Sequence, residues 1–392
     1  MSKKIGVNDP CPCGALREDG KPKKYKKCCL DKDKNPPVPQ EVIDYFMAAQ
    51  AEQEYFKKAG LHNIYVKPIL FQEKKVWAIG NRVYPDRPVN ETYHQFILGF
   101  LAETLGKDWW IEQNALSSEE KHFIALCFEK LNKWAQQNEA TAERINDGTV
   151  WGATPNGYCK ALLSLAFDVS SLAHTNKLPD QLLNRLRSKE AYQGARYEIA
   201  IAAIFSRLNC DIEFTDENSK SKHCEFIATH RETGSVLAVE AKSKRRDGII
   251  HEPGTPEPVE EQLSGEAVRR LFNEALKQNP KDVPFAVFVD LNSPLTPEIP
   301  VEEKPWVKEV KHLMKSKLKN LREEDYPLNA AFFTNFSYHY QTENESLQGE
   351  SMGFVIPHPK FAPPSPEFFG YIEGALTHYG FVPSIGINEK LD

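Results

Sequence analysis

The sequence predicts an α/β protein in which a mixed sheet is flanked by helices, with a helical insert region and a small cysteine-rich module before it. Three observations support this prediction. The middle of the chain alternates apolar helical patterns with short strand-like runs, the region before it carries several helical patterns, and four of the eight cysteines precede residue 30. A chain of 392 residues accommodates several modules, and its net charge of -6 does not indicate a basic nucleic-acid coat.

The segment at residues 1–32 contains four cysteines in two close pairs. Cys11 and Cys13 are one residue apart, and Cys28 and Cys29 are adjacent after a lysine-rich turn. Four thiolates can close a tetrahedral zinc site, and the metal would supply most of the folding free energy of so short a segment. The alternative is two disulfides. It is disfavoured because the sequence shows no secretory signal and no apolar span of about 20 residues, which predicts a reducing, cytoplasmic location.

This cysteine pattern resembles the SEC-C zinc motif, first known from the C-terminal tail of the SecA translocase. The stretches "CPCG" and "KKYKKCC" match the motif, whereas the spacer is longer by "ALREDGKP", which should enlarge a loop without moving the ligands. The resemblance implies a structural Zn²⁺ ion and recruitment to a partner or to nucleic acid. The other cysteines lack metal-ligand spacing and are predicted to be buried core thiols: Cys127, Cys159, Cys210 and Cys224.

A polar, proline-rich linker is predicted at residues 33–40, followed by a mainly helical domain at residues 41–189. An amphipathic helix over residues 41–59 and an extended hairpin open this domain. No catalytic constellation is present in it. Its further helices are predicted at residues 91–105, 117–137, 158–174 and 179–188.

Residues 190–292 are predicted to form the central α/β core. "ARYEIAIAAIFSRL" is apolar almost all round, as a buried helix is, yet it contains Glu198, whose carboxylate needs a partner. "CEFIAT" and "SVLAVEAKSKRR" contain two strands joined by a Thr-Gly turn, which predicts an antiparallel hairpin. A helical pattern and the apolar strand "PFAVFVDL" follow. The order is therefore helix, strand, hairpin, helix and strand.

The second hairpin strand ends in Glu240, Ala241 and Lys242, the most informative residues of the chain. Because strand side chains alternate between two faces, Glu240 and Lys242 point to one side. The hairpin brings Glu225, at the start of the preceding strand, toward them. A carboxylate there can hold a divalent cation, and a lysine about 7 Å along the same face can orient or help to deprotonate a water molecule.

The arrangement resembles the restriction-endonuclease-like, or PD-(D/E)xK, nucleases over residues 190–292. The resemblance implies that Glu225 replaces the usual Asp of the first metal-binding strand and that Glu240 and Lys242 form the Glu-x-Lys pair. Glu198 would be the helix acid, and the Ala241 carbonyl would be a backbone ligand of one or two Mg²⁺ or Mn²⁺ ions. The sequence departs from the family pattern because no proline precedes Glu225, and Glu is one methylene longer than Asp.

Each candidate also has an interpretation without catalysis. The Glu-x-Lys pair would then be an ion pair at a strand end, and Glu225 a solvated residue at the start of its strand. Glu198 would extend out of its helix groove or pair with Arg196 or Arg207. Asp290 is better explained as a strand-end cap than as a ligand.

The chemistry implied by the second resemblance is metal-dependent hydrolysis of phosphodiester bonds in DNA or RNA. Because the whole chain is acidic, nucleic acid would be contacted through basic clusters at residues 21–27 and 242–246. The competing class is a non-catalytic adaptor whose zinc module binds a chaperone, ribosome or translocase partner on a degenerate nuclease scaffold. A membrane-surface secretion factor is a third hypothesis, which rests on the portable motif alone.

Residues 293–392 are predicted to form a mixed α/β extension, with a lysine-rich helix over residues 307–321, strands over 330–340 and 352–356, and a last helix over 366–379. The proline-rich acidic loop at residues 247–262 follows the Glu-x-Lys strand. It is interpreted either as a mobile lid over the site or as a disordered insertion.

Overall fold

The computed structural model describes residues 6–30, 40–62, 67–145, 150–215, 224–250, 254–264, 266–319, 321–341, 349–358, 360–361 and 365–384. The chain divides into two compact units, Met1–Phe56 and Lys57–Asp392. The first unit holds the cysteine-rich module and most of helix α1 (Gln40–Lys58). The finer domain boundaries predicted from the sequence stay predictions, and the predicted linker lies almost entirely outside the described residues.

The second unit contains the remaining elements. The helices are α2 (Tyr93–Leu105), α3 (Lys107–Asn114), α4 (Phe123–Asn138), α5 (Gly157–His174), α6 (Asp180–Arg187), α7 (Tyr192–Arg207), α8 (Val259–Ser264), α9 (Glu266–Leu276), α10 (Pro305–Leu318) and α11 (Pro366–Thr377). The strands are β1 (Ile69–Phe71), β2 (Lys74–Ile79), β3 (Arg82–Arg87), β4 (Glu143–Ile145), β5 (Val150–Gly152), β6 (Cys210–Phe214), β7 (Phe226–His230), β8 (Val236–Ser243), β9 (Phe285–Asp290), β10 (Ala330–Asn335) and β11 (Glu350–Val355).

A six-stranded mixed sheet with the order β11-β10-β9-β8-β7-β6 forms the centre of the second unit. Strands β8, β9 and β10 are parallel, whereas β6–β7, β7–β8 and β10–β11 are antiparallel pairs. Parallel neighbours require crossover connections, and here α8 and α9 link β8 to β9 while α10 lies between β9 and β10. The predicted mixed α/β class is therefore confirmed, and the predicted order of elements is confirmed except that a second helix, α8, precedes α9. Strands β10 and β11, from the predicted C-terminal extension, belong to this same sheet.

Aromatic side chains join helices to both faces of the sheet. On one face, Phe272 of α9 contacts Phe333 of β10, with ring centroids 5.6 Å apart. On the other face, Phe205 of α7 contacts Phe226 and Phe288 at 5.6 and 5.7 Å. Nearly every residue of α7 is buried, as its apolar sequence predicted. The predicted core thiols are all buried: Cys127, Cys159, Cys210 and Cys224.

Several element boundaries differ from the sequence prediction. The helix predicted from residue 117 begins at Phe123, because the His122 side chain accepts the backbone N–H two residues on and caps the helix. The strand predicted to reach residue 340 ends at Asn335, since a 3-10 helix (Tyr338–Gln341) follows. Helix α3 was not predicted, and the expected hairpin after α1 is a three-stranded sheet of β1, β2 and β3.

Candidate functional site

Among the described residues, four cysteines form the one group of three or more His, Cys, Asp or Glu side chains whose ligand atoms all lie within 4.8 Å of one another. Cys13 Sγ lies 3.3 Å from Cys11 Sγ and 3.5 Å from Cys28 Sγ, and the sulfurs of Cys28 and Cys29 are 3.8 Å apart. Sulfurs around a tetrahedral zinc ion are about 3.8 Å apart, which follows from Zn–S bonds of about 2.3 Å. The four cysteines can therefore bind a metal such as zinc.

The protonation of Cys13 suits this role. A hydrogen bond from the backbone of Ala15, assisted by the neighbouring thiols, lowers the pKa of Cys13 to about 6. The thiolate is the form of cysteine that binds a metal. Hydrogen bonds with Cys11 and Cys13 in turn raise the pKa of Cys28 and of Cys29, so Cys13 is the thiol of these three that ionises most readily without metal.

A short hairpin brings the two cysteine pairs together. The Cys11 N–H donates to the Lys23 carbonyl, and the Arg17 N–H donates to the Lys21 carbonyl, both at 2.8 Å. A 3-10 helix (Tyr25–Lys27) then leads directly into the second pair. The long spacer thus enlarges a loop and leaves the four ligands together, as the sequence predicted.

In the second unit, the β7–β8 hairpin positions the Glu-x-Lys residues. The last paired residues of the two strands are Phe226 and Val239, and the Glu225 N–H donates to the Val239 carbonyl at 3.0 Å. Strand β8 continues beside β9 as far as Ser243. The Glu-Ala-Lys tripeptide therefore lies where β8 extends beyond β7, next to Glu225.

The ammonium of Lys242 joins the two strand carboxylates. Its Nζ lies 2.6 Å from Glu240 Oε1 and 3.0 Å from Glu225 Oε1. Glu240 is 1% exposed, so this acid is held inside the protein beside its cation. The structure brings together the three strand side chains that the sequence selected.

Glu198 is held by a different cation. Both of its carboxylate oxygens accept hydrogen bonds from the guanidinium of Arg185 on α6, each at 2.6 Å. This two-point contact is the strong form of an arginine–carboxylate pair. Burial and the charge of Glu225 raise the pKa of Glu198, and the charge of Lys242 lowers it, so the helix acid is within electrostatic reach of the strand residues.

The pairing that the sequence suggested for Glu198 is wrong. Arg196 instead pairs with Asp290, and Arg207 pairs with Asp168, at 3.0 and 2.7 Å. The true partner on α6 was missed because it comes from a separate helix. A signal for it existed, since a buried acid requires a cation and the preceding helix carries two arginines in its last turn.

Burial dominates the acid–base properties of this site. It raises the pKa of Glu240 to about 8, against the opposing charge of Lys242. It raises the pKa of Glu198 to about 7, against the hydrogen bonds from Arg185. Although burial acts to lower the pKa of Lys242, the charges of Glu225 and Glu240 raise it above its ordinary value. Lys242 is thus a protonated cation at neutral pH and a poor base.

The carboxylates fit a hard divalent cation in donor chemistry but are more widely spaced than the cysteines. Glu198, Glu225 and Glu240 are all described residues, and their carboxylate oxygens do not form a group of three within 4.8 Å of one another. Glu225 and Glu240 contact one ammonium, so a cation already lies between them. Carboxylate oxygens are the ligands preferred by Mg²⁺ and Mn²⁺. The pair Glu225 and Glu240 is therefore the candidate cation site, and Glu198 is within electrostatic reach of it.

The basic cluster at the end of β8 is partly engaged within the protein, although Arg245 is exposed. Arg246 is buried, donates to the carbonyls of Gln262 and Leu291 at 3.1 and 3.0 Å, and pairs with Glu257. Lys244 also pairs with Glu257, at 3.1 Å. An acid of the following loop therefore neutralises two of the cations, and contact of residues 242–246 with nucleic acid stays a prediction.

Asp290, at the end of β9, has a structural role. Its Oδ2 accepts hydrogen bonds from Arg196 and from the Ser243 hydroxyl, both at 3.0 Å, and its Oδ1 accepts the Phe336 N–H at 3.1 Å. The strand-end cap expected from the sequence is confirmed.

No family model, curated protein or solved structure matches the chain. The resemblances to the SEC-C motif and to the PD-(D/E)xK nucleases therefore rest on the quoted residues and on the order of elements. Within the described ranges, every helix is too short or too polar to cross a membrane.

Proposed function

We propose that the chain is a metal-dependent nuclease that hydrolyses phosphodiester bonds of DNA or RNA and is recruited through an N-terminal zinc module of the SEC-C type. The observation that carries the proposal is the contact of Lys242 with both Glu225 and Glu240 at the end of the β7–β8 hairpin. A strand acid and a strand lysine brought together inside a mixed sheet, with a helix acid beside them, supply the side chains that this chemistry needs.

In this proposal Glu225, Glu240 and the Ala241 carbonyl would hold Mg²⁺ or Mn²⁺, which would lower the pKa of a bound water and offset charge on the phosphate. Lys242 stays protonated because two carboxylates raise its pKa. It therefore orients the attacking water and stabilises the charge of the transition state rather than accepting a proton. Glu198 supports the site from α7.

The adaptor hypothesis keeps the zinc module and removes the catalysis. It is favoured by one observation, that the described residues contain a compact ligand group of cysteines but no equally compact group of three acids. In that case the buried acids and their cations would serve only to hold the second unit together. The partner would be a chaperone, ribosome or translocase that binds the zinc module.

The deciding experiment incubates the full-length protein with labelled single- and double-stranded DNA and RNA in Mg²⁺, Mn²⁺ or EDTA. Lys242→Ala should lower cleavage by roughly 100-fold or more and keep metal binding, because the ligands are oxygens. Glu240→Ala should abolish both. Lys121→Ala is the matched control, because Lys121 also follows a Glu-x-Lys spacing and pairs with a glutamate, Glu129, at 2.9 Å. Wild-type protein that cuts no substrate, or site variants that cut as well as wild type, would leave the adaptor hypothesis ahead.

A further inference from the structure

Arg185 holds Glu198, the helix acid near the candidate cation site, through a two-point ion pair. Both oxygens of Glu198 are engaged by the guanidinium, so neither can turn toward a metal ion without weakening that contact. Glu198 itself is buried, whereas about a third of the Arg185 side chain, 32%, is exposed. The arginine can therefore move to a ligand from solvent more easily than the acid can.

The charges around the site indicate which ligands would favour such a movement of the Arg185 side chain. When a bound metal ion keeps all three acids ionised, the ion pairs of the described residues give Glu198, Glu225 and Glu240 two partner cations, Arg185 and Lys242. One divalent cation changes the net charge of this group from minus one to plus one, and one phosphodiester returns it to zero. With the acids ionised, a metal ion and a phosphodiester together thus leave this group of charges neutral.

We propose that Arg185 is a positioning residue that makes metal binding depend on nucleic acid. Without nucleic acid its guanidinium holds Glu198 away from the metal site. A phosphodiester draws the guanidinium to itself, since arginine binds phosphate with the same two-point geometry as carboxylate. Glu198 is then free to support the metal ion. This inference rests on the proposed nuclease function, and thermodynamic linkage makes it reciprocal, so that metal must tighten nucleic-acid binding by the same factor.

The test measures metal binding rather than cleavage. Zinc-loaded, full-length protein is titrated with Mn²⁺ and followed by electron paramagnetic resonance, with and without single-stranded DNA or RNA whose phosphorothioate linkages block hydrolysis. The oligonucleotide should tighten Mn²⁺ binding to wild type by roughly tenfold, a typical coupling between two sites. Arg185→Ala should bind Mn²⁺ more tightly than wild type when alone and should lose most of the oligonucleotide effect.

Two further variants separate positioning from a merely structural role. Arg185→Lys keeps the charge but not the two-point contact, and it should show an intermediate coupling. Arg231→Ala is the matched control, because Arg231 forms a 2.7 Å ion pair with Asp211 that has no contact with the site, and its coupling should equal that of wild type. If Arg185→Ala fails to fold, Arg185→Lys and Glu198→Gln carry the test, and Glu198→Gln should also lose the coupling.

The outcomes distinguish failure of this inference from failure of the proposed function. Mn²⁺ that binds wild type equally with and without the oligonucleotide, or full coupling in Arg185→Ala, would show that the arginine only joins α6 to α7. The nuclease proposal would then stand. Wild-type protein that binds no Mn²⁺ outside the cysteine site under either condition would remove the proposed function together with the inference.

Discussion

The two candidate metal sites of this protein are built in opposite ways. In the cysteine module, all four ligands come from one short stretch of chain, and a hairpin between Cys11 and Lys23 with the following 3-10 helix is enough to bring them together. In the second unit, the charged groups come from α6, α7, β8 and the residue directly before β7, and they meet only when the sheet and its helices are packed.

This difference determines what holds each site together without metal. The cysteine module has little apolar core of its own, so a bound metal would stabilise its fold directly. The carboxylate site already contains two internal cations, Arg185 and Lys242, which neutralise most of its charge. We therefore expect the first site to fold with its metal and the second to fold without one.

The largest expected effect is loss of the cysteine module on Cys28→Ser. Removing one thiolate removes most of a metal-binding free energy of about 10 to 16 kcal/mol, which the module cannot replace. Hydrogen exchange should show the segment before residue 30 unprotected, and zinc content should fall to near zero. The Tm of the second unit should not change.

Cys127→Ala is the matched control, because Cys127 is a buried thiol of the second unit. It should leave the zinc content at one ion per chain and lower the Tm of the second unit. If Cys28→Ser lowered the Tm of the second unit, the cysteine site would not be independent of the packing of that unit, and the contrast between the two sites would be wrong.

The same contrast, between local patterns and contacts made by packing, explains which features could be predicted from the sequence. The cysteine ligands were predictable because their spacing is local, and α7 and β8 because apolar periodicity is local. The sequence signals that Glu198 needs a cation but does not select Arg185, because the two residues meet only through the packing of two helices. The burial of Arg246 was missed for the same reason, since its acidic partner belongs to a separate loop.

The second prediction concerns pH and the metal-free carboxylate site. Burial raises the pKa of Glu240 from 4.5 to about 8, so the folded protein retains a proton that the unfolded chain releases. Stability from this group is therefore complete below about pH 4.5 and is lost as the pH rises through 8. Glu240→Gln should remove this loss and gain roughly 1 to 3 kcal/mol over wild type at pH 9, measured by urea unfolding in EDTA.

Glu103→Gln is the control for this pH effect, because Glu103 is exposed and lies 3.9 Å from Arg82 in a surface pair. Its unfolding free energy should follow that of wild type at every pH. Equal pH profiles for wild type and Glu240→Gln would mean that Glu240 ionises normally in the folded protein.

The smallest expected effect concerns the two basic clusters. They differ in how far their cations are paired with acids of the protein. The lysines of residues 21–27 are exposed, whereas Lys244 and Arg246 are paired with Glu257. Glu257→Gln should release Lys244, whereas Arg246 stays bonded to backbone carbonyls, and it should raise nucleic-acid affinity by roughly two- to fivefold at low salt, with a salt dependence steeper by up to about one counterion. Glu260→Gln removes an equal charge from an exposed position three residues away and should change neither quantity. Fluorescence anisotropy over a salt series measures both. An unchanged salt slope in Glu257→Gln would show that nucleic acid does not approach this end of the sheet, and it would leave the exposed lysines of the cysteine module as the contact surface.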